Sequence, residues 1–168
     1  MSLPSSLARA AAAVAAGPLL ALTGAVAVVA QPRAFTVHDL VAMDRIAEPA
    51  VSPDGTRVVF VVSALDLDAN RRRSDLWVVG TDGSGLRRLT NHPASDTNPV
   101  WAPDGKAVFF LSSRSGSSQV WRVPIDGGEP QPVTTLPLDV GSFTLSRDGR
   151  LLAVSLEVFP DCSTLACT

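Results

Sequence analysis

The chain has 168 residues and a formal net charge of −2, with 46% apolar and 18% charged residues. This balance is ordinary for a globular domain and excludes a disordered, collagen-like or coiled-coil chain. It also argues against nucleic acid as a partner, because phosphate binding needs a concentrated basic surface. The one basic run, Arg71-Arg72-Arg73, lies beside Asp66, Asp68 and Asp75, so we interpret it as a solvated loop.

The first thirty residues have the pattern of a secretory signal peptide. Residues 10–32 carry no charge and are rich in Ala, Val and Leu. Val28-Val29-Ala30 then places small side chains at the −3 and −1 positions of a cleavage site, with Gln31 as the first mature residue. A permanent membrane anchor is the alternative, because about twenty apolar residues can span a bilayer. Gly17-Pro18 interrupts the stretch, so we predict a signal peptide at 1–30 and a periplasmic or extracellular protein without a permanent membrane span.

The only two cysteines, Cys162 and Cys167, are five positions apart near the end of the sequence. In an oxidising compartment such a pair can close a small disulfide loop. A structural metal site would need two further ligands, and none lies nearby in the sequence. We therefore predict a disulfide and no metal site.

A repeat organises the chain beyond residue 50. The intervals from Trp77 to Trp121 and from Asp104 to Asp148 are both 44 positions, whereas the interval from Asp54 to Asp104 is 50. The six extra residues fit within residues 64–74. A period near 44 lies in the range of the blades of a β-propeller, roughly 40–45 residues for the best-known class.

Each of the two complete repeats carries the signals of four antiparallel strands, and a third repeat begins at 145–155 and then changes character. An Asp-Gly pair supplies the positive φ angles of a tight hairpin between the first two strands. The second strand, at 58–62 and at 108–111, is almost continuously apolar, which predicts that neighbouring sheets cover both of its faces. Trp77 and Trp121 mark the third strand, where a large ring can fill the space between sheets. The predicted turn residues are Asp54, Gly55, Asp104, Gly105, Asp148 and Gly149.

These signals predict an all-β chain, a partial β-propeller of four-stranded antiparallel blades. It would hold about two and a half blades, at about residues 50–93, 98–137 and 142–168. An extension at 31–49 precedes them. Within it, apolar residues at helical spacing, with Thr36 as N-cap and Pro49 as stop, predict one short helix over 36–47.

The order of these motifs resembles a known family. Ser52-Pro53-Asp54-Gly55, a hydrophobic strand, Asp75-Leu76-Trp77 and a second Asp-Gly turn are similar to the WD40-like (PD40) blades of TolB and prolyl-oligopeptidase (S9) propellers. The preceding residues 36–43 resemble the helix that opens secreted acylaminoacyl-peptidase and dipeptidyl-peptidase relatives. The resemblance covers residues 35–161, and the order of signal peptide, helix and Ala-Val-Ser-Pro-Asp-Gly at 50–55 favours the peptidases over TolB.

The resemblance implies a several-bladed propeller over an α/β-hydrolase domain with a Ser-Asp-His triad. The propeller would act as a lid that admits short peptides. The present sequence departs from this pattern, because it holds no Gly-x-Ser-x-Gly elbow and no hydrolase domain. His38 and His92 have no credible Ser and Asp partners, so we expect no catalytic, cofactor-binding or metal-binding residue in this chain.

Three hypotheses follow. In the first, the chain supplies the gating propeller of an exported serine peptidase, whose peptide substrates bind through the missing domain. In the second, it is a TolB-like periplasmic propeller that binds other proteins. In the third, it is a short protein that completes its ring by self-assembly. Because the first and last sheets of a partial ring expose apolar faces and unpaired strand edges, we also expect the isolated chain to self-associate.

Overall fold

The structure is a computed structural model that describes residues 33–165 and 167–168. The chain divides into two units, residues 1–34 and 35–168, and the fold below is that of the second unit. The signal peptide predicted at 1–30 and its cleavage site lie outside the described residues. Among the described residues, no helix combines the length and hydropathy needed to cross a membrane.

One short helix, α1, spans Val37–Ala42. Thr36 is its N-cap: the Thr36 hydroxyl accepts the backbone N–H of Asp39, and the Asp39 carboxylate accepts the backbone N–H of Thr36 at 2.8 Å. This capping box satisfies two N–H groups that have no partner within the helix. The predicted N-cap is therefore confirmed.

The predicted end of the helix at residue 47 is wrong. The helix ends at Ala42, and strand β1 already occupies Arg45–Val51. Pro49, which we interpreted as a helix stop, lies inside that strand. The physical reason is that Ile46 and Ala47 find backbone partners on the second strand, and that pairing outweighs a helical spacing supported by few apolar residues.

The remaining strands form two four-stranded sheets and one two-stranded sheet, all antiparallel. Sheet one has the order β1-β2-β3-β4, with β2 at Arg57–Asp66, β3 at Arg71–Gly80 and β4 at Arg87–Arg88. Sheet two has the order β5-β6-β7-β8, at Asp96–Trp101, Ala107–Ser112, Gln119–Pro124 and Gln131–Pro132. Sheet three pairs β9, Val140–Leu145, with β10, Leu152–Leu156. The described part of the chain is thus an open, partial β-propeller.

The first strands of sheets one and two share a bulge. The register of β1 shifts between Ala47 and Ala50, and that of β5 shifts between Thr97 and Val100. The residue after each shift point adopts a left-handed backbone, with φ of 53° at Glu48 and 55° at Asn98. A proline follows each of them, 50 positions apart, so the bulge belongs to the repeat.

Two apolar clusters hold the sheets together. The first joins sheets one and two through buried side chains from both: Val59, Val61, Leu76, Val78, Trp101, Val108, Phe110, Val123 and Ile125. The second joins sheets two and three through Leu111, Val120, Val140 and Phe143. Sheet two therefore has neighbours on both faces, as the blade of a propeller does.

Candidate functional site

Three nearly identical turns lie between the first and second strands of the three sheets. In each turn, the backbone N–H of the opening residue (Ser52, Ala102 or Ser146) donates to the backbone carbonyl of the residue five positions later, at 2.8–2.9 Å. The backbone N–H of the glycine in each motif also donates to the carbonyl of that opening residue, at 2.9 Å in all three turns. We call the set of residues 52–57, 102–107 and 146–151 the turn row.

Glycine is required in these turns by its backbone angle. Gly55, Gly105 and Gly149 have φ of 71°, 68° and 68°, a region that other L-residues rarely adopt. Successive turns also approach each other closely. A Cβ added at Gly149 would lie 3.1 Å from Cδ of Pro103 in the preceding turn. The proline of one turn and the glycine of the next therefore bring the turns of sheets two and three together.

The aspartates of the turn row are engaged in the turns themselves. The Ser52 hydroxyl donates to Asp54 at 2.6 Å and, with the backbone N–H and hydroxyl of Thr56, lowers the pKa of Asp54 to about 2. In the third turn the Ser146 hydroxyl and the backbone N–H of residue 150 lower the pKa of Asp148 in the same way. A carboxylate held ionised by hydrogen bonds is a poor general acid or base near neutral pH.

A cleft of about 590 Å³ lies at the end of sheet one that carries its turns. Residues of both four-stranded sheets line it, among them Arg57, Asp82, Arg87 and Asp126. Arg57 Nη1 lies 3.4 Å from Asp126 Oδ1, and Arg87 donates to the carbonyl of Ile125. Side chains of sheet one thus reach across to the third-to-fourth strand turn of sheet two, and the cleft presents both charges to solvent.

Three further contacts, none of them predicted from the sequence, fix sheet one against sheet two. Trp101 Nε1 donates to the carbonyl of Ala50 at 2.9 Å, and the indole is 8% exposed. The backbone N–H of Asn98 donates to Glu48 Oε2 at 2.6 Å, which joins the two bulges. The sequence offered a signal for the bulges, because Glu48-Pro49 and Asn98-Pro99 precede the same Pro-Asp-Gly motif at the same distance.

The third contact is backbone to side chain, at the opposite end of the same interface. The backbone N–H of Ser74 in β3 donates to Ser95 Oγ, just before β5, at 3.2 Å. The bond recurs 44 positions later, where the backbone N–H of Ser118 donates to Asp139 Oδ1 at 2.6 Å, so the repeated serine was a signal for it. Together the three contacts tie the sheets along the length of their interface.

A buried ion pair lies within sheet two. Arg114 Nη2 contacts both carboxylate oxygens of Asp96, at 2.8 and 2.7 Å, and Asp96 is fully buried. The Arg114 guanidinium also lies 5.2 Å from the ring centre of Phe110 and 5.1 Å from that of Trp121. Such a cation on aromatic faces is favourable in a dry setting. Sheet one has a different arrangement, in which Asp75 contacts Arg73 and Arg88.

The two repeated tryptophans lie at matching positions. Trp77 is opposite Phe60 in sheet one, and Trp121 is opposite Phe110 in sheet two. Both rings are half-buried. Trp121 packs on the cluster between sheets one and two, whereas Trp77 points to the other face of sheet one, because its neighbours Leu76 and Val78 fill that cluster.

The histidines take no part in a shared site. His38 is exposed on α1, and His92 Nδ1 accepts the backbone N–H of Ala94 at 3.0 Å. Within residues 33–165 and 167–168, no group of three or more His, Cys, Asp or Glu side chains is placed to hold a metal ion.

The structure joins Cys162 to Cys167, with Cα atoms 5.4 Å apart. The loop follows β10, and the exposed Phe159 lies just before it. A second cleft, of about 580 Å³, is lined by Phe159, Val158, Glu157 and Asp139 among others. The Asp139 carboxylate already accepts the backbone N–H of Ser118 at 2.6 Å.

The chain is similar in sequence to two peptidases and to TolB proteins. It is 30% identical to the uncharacterised peptidase YuxL of Bacillus subtilis over 125 residues, 74% of this chain and 19% of that protein. It is 30% identical to dipeptidyl-peptidase 5 of Porphyromonas endodontalis over 128 residues, 76% of this chain and 18% of that protein. A Tol-Pal system protein TolB, from Bordetella pertussis, is 40% identical over 57 residues, 33% of this chain and 13% of that protein. The chain thus spans about a fifth of the two peptidases.

Solved structures show the same fold. Acylaminoacyl peptidase of Pyrococcus horikoshii matches with a TM-score of 0.57 at 18% identity, over 68% of this chain and 17% of that chain. A TolB structure from Agrobacterium tumefaciens matches with a TM-score of 0.55 at 24% identity, over 67% of this chain and 38% of that chain. The family model of the TolB beta propeller domain, PD40, matches residues 36–158, from the helix N-cap to just beyond β10. The chain therefore belongs to the PD40 family of TolB-type β-propeller domains.

Proposed function

We propose that the chain is the opening part of the propeller of an exported serine peptidase, in which the propeller restricts the access of substrates to a catalytic domain elsewhere in the protein. The observation that carries this proposal is the length of the peptidase alignments. The likeness to the two peptidases extends over about three quarters of this chain, whereas the likeness to TolB of Bordetella pertussis covers a third of it.

The packing of the sheets suits a barrier. Neighbouring sheets are in direct contact. They are joined by two apolar clusters and by the hydrogen bonds Trp101–Ala50 and Asn98–Glu48. A wall held in this way resists opening between blades, so large folded proteins would be excluded and short or unstructured peptides admitted. Enclosure of this kind also keeps bulk water from the reacting groups.

The chemistry itself is proposed to lie outside this chain. Acyl transfer needs an activated nucleophile, a base and donors for the oxyanion. The two histidines belong to different elements: His38 is exposed on α1, and His92 accepts the backbone N–H of Ala94 in a loop. We expect the purified chain to show no turnover of aminoacyl or dipeptidyl chromogenic substrates. Turnover that a serine-directed inhibitor abolishes would contradict this assignment.

Export is part of the proposal. The uncharged stretch before Gln31 and the Cys162–Cys167 disulfide support it, because disulfides persist in oxidising compartments. We expect protein recovered from the periplasm or medium to begin at Gln31 or within a few residues of it. Intact-mass analysis measures this, and a mature protein that still begins at Met1 would contradict it.

A TolB-like protein-binding module is the second candidate. The 40% identity to TolB of Bordetella pertussis, though short, is higher than the identity to either peptidase and favours it. In this case the propeller would function by binding other proteins through its ends and rims.

The coding sequence downstream of Thr168 separates the two candidates. A Gly-x-Ser-x-Gly elbow within a few hundred codons supports the peptidase, and further blades followed by a stop support the binding module. If the elbow is present, the whole gene product should cleave short peptides and spare a folded protein that contains the same cleavage sequence. Equal cleavage of both substrates would reject the gating role while leaving the peptidase assignment intact.

A further inference from the structure

The hairpin between β2 and β3 extends beyond sheet one. In sheet two the last pair of the corresponding strands is Ser112 with Gln119. The equivalent pair in sheet one is Val62 with Asp75, and four more pairs follow it, from Ser63 with Ser74 to Asp66 with Arg71. At about 3.3 Å per residue these four pairs lengthen the β2–β3 ladder by about 13 Å relative to that of sheet two. We call residues 63–74 the finger; they include the six residues that lengthen the first repeat.

The finger is anchored at its base. The hydroxyls of Ser63 and Ser74 share a hydrogen bond of 2.7 Å, and Ser74 is buried. The Ser74 backbone N–H is held by Ser95 of the next blade, and Arg73 Nε lies 3.3 Å from Asp75. These bonds fix the direction in which the finger leaves the sheet.

The tip of the finger is also ordered by its own hydrogen bonds. Asp66 Oδ1 accepts the backbone N–H of Ala69 at 2.9 Å, and the backbone N–H of Asn70 donates to the carbonyl of Leu67 at 3.2 Å. Asn70 adopts the left-handed backbone, with φ of 46°, that asparagine tolerates in a turn. A preformed tip loses little conformational entropy when it binds.

The charges of the finger are divided between its two strands and balance each other. Asp66 and Asp68 lie on the β2 side of the tip, and Arg71 and Arg72 lie on the β3 side. All four are exposed, and none of them forms an ion pair with another described residue. Arg72 Nη1 donates to the carbonyl of Ser63 at 3.4 Å, and Asp66 is opposite Arg71 in the strand register, so Asp68 and Arg71 are the charged side chains of the tip without a hydrogen bond among the described residues. Leu67, between the two carboxylates, is 69% exposed.

We propose that the finger is a self-association element that binds the finger of a second copy of this chain. In a two-fold interface, when one residue of the first copy contacts a second residue of the other copy, the reverse contact also forms. The patch must therefore be complementary to itself. Asp68 and Arg71, on opposite sides of the tip, meet this requirement, because Asp68 of each copy can face Arg71 of the other. An acidic or basic protein partner would instead favour a patch of one sign. Leu67 supplies apolar area at the centre of the contact.

The test measures the dimer dissociation constant of the purified chain by analytical ultracentrifugation. Asp68→Lys and Arg71→Glu each reverse one charge, and neither side chain takes part in a hydrogen bond that shapes the tip. Each variant alone should weaken the dimer by about tenfold or more, because like charges then face each other. A one-to-one mixture of the two variants should restore it, and so should both substitutions in one chain. Glu129→Lys and Arg147→Glu, which make the same charge changes at exposed positions outside the finger, should leave it unchanged.

Salt distinguishes this contact from association through the apolar faces of the sheets. Ion pairs between exposed side chains weaken as ionic strength rises, whereas association of apolar surfaces is strengthened by salts such as sulfate. Dimerisation that declines with salt and follows the finger variants supports the proposal. A chain that stays monomeric at every concentration, a dimer that responds equally to the finger variants and the controls, or an association that grows with sulfate and ignores the finger variants would overturn it.

Discussion

Sheets one and two share a strand order, a bulge and a turn, yet their faces are buried differently. In β6 five of six residues are buried, whereas in β2 buried residues alternate with half-buried or exposed ones. Phe60 and Trp77 occupy the same face and register in sheet one that Phe110 and Trp121 occupy in sheet two. Sheet one covers that face of sheet two, and no described element packs on Phe60 and Trp77 in the same way. A strand's sequence therefore sets its preference for β-structure, whereas the neighbouring sheets decide which of its faces are buried.

Truncation of the paired phenylalanines gives the largest expected difference between the sheets. Phe110→Ala should lower the free energy of unfolding by about 3–5 kcal/mol, because the ring is fully buried and its removal leaves a cavity. Phe60→Ala, at the equivalent half-buried position, should cost about 1–2 kcal/mol. Urea denaturation followed by tryptophan fluorescence measures both. Equal losses would mean that the outer face of sheet one is covered in solution.

The ion pair of sheet two has no counterpart in sheet one, where Ile46, 72% exposed, takes the position of Asp96. Asp96→Ala should cost about 3 kcal/mol, because it leaves the Arg114 guanidinium unpaired in a mostly buried place. Asp126→Ala, which removes the exposed partner of Arg57, serves as the control and should cost less than about 1 kcal/mol. If the two variants lost the same stability in urea, the buried pair would have no special role in sheet two.

The smallest expected effect concerns the turns. The pKa of Asp54 is lowered from its ordinary value of 3.8 to about 2, chiefly by the Ser52 hydroxyl. Because the folded pKa is the lower one, the stabilisation is complete above about pH 4 and is lost as the pH falls through about 2. Ser52→Ala should raise the pKa of Asp54, as measured by NMR titration of the side-chain carboxyl carbon. Ser63→Ala, which removes a hydroxyl in the finger, should not, and an unchanged pKa in Ser52→Ala would refute the assigned cause.

Local signals were sufficient for the parts of the fold that depend on short segments. Thr36 capped the helix as predicted, since a capping box needs residues only three apart. The Asp-Gly pairs at 54, 104 and 148 lie in the hairpin turns, because only a few residues can adopt the positive φ these turns need. The four-stranded antiparallel sheets followed from the 44-residue period.

Contacts between distant residues escaped the sequence analysis. The end of α1 was misplaced because Ile46 fits a helical spacing as well as it fits a strand, and the pairing of β1 with β2 decided between them. The Asp96–Arg114 pair joins residues 18 positions apart across a hairpin, and the periodicity of the sequence does not predict such a pair. The Trp101–Ala50 bond spans 51 positions and depends on how closely two sheets pack.

The sequence by itself determined where the chain turns and which residues favour strands, since backbone angles and hydrophobic patterns act over a few residues. Only the tertiary structure decided which faces are buried, because burial depends on what a neighbouring sheet brings within contact distance. The tertiary structure also determined the conformation of the six extra residues in the first repeat. Their composition indicated a solvated loop, and the structure shows an anchored finger whose base is held by Ser74, Arg73 and the next blade's Ser95.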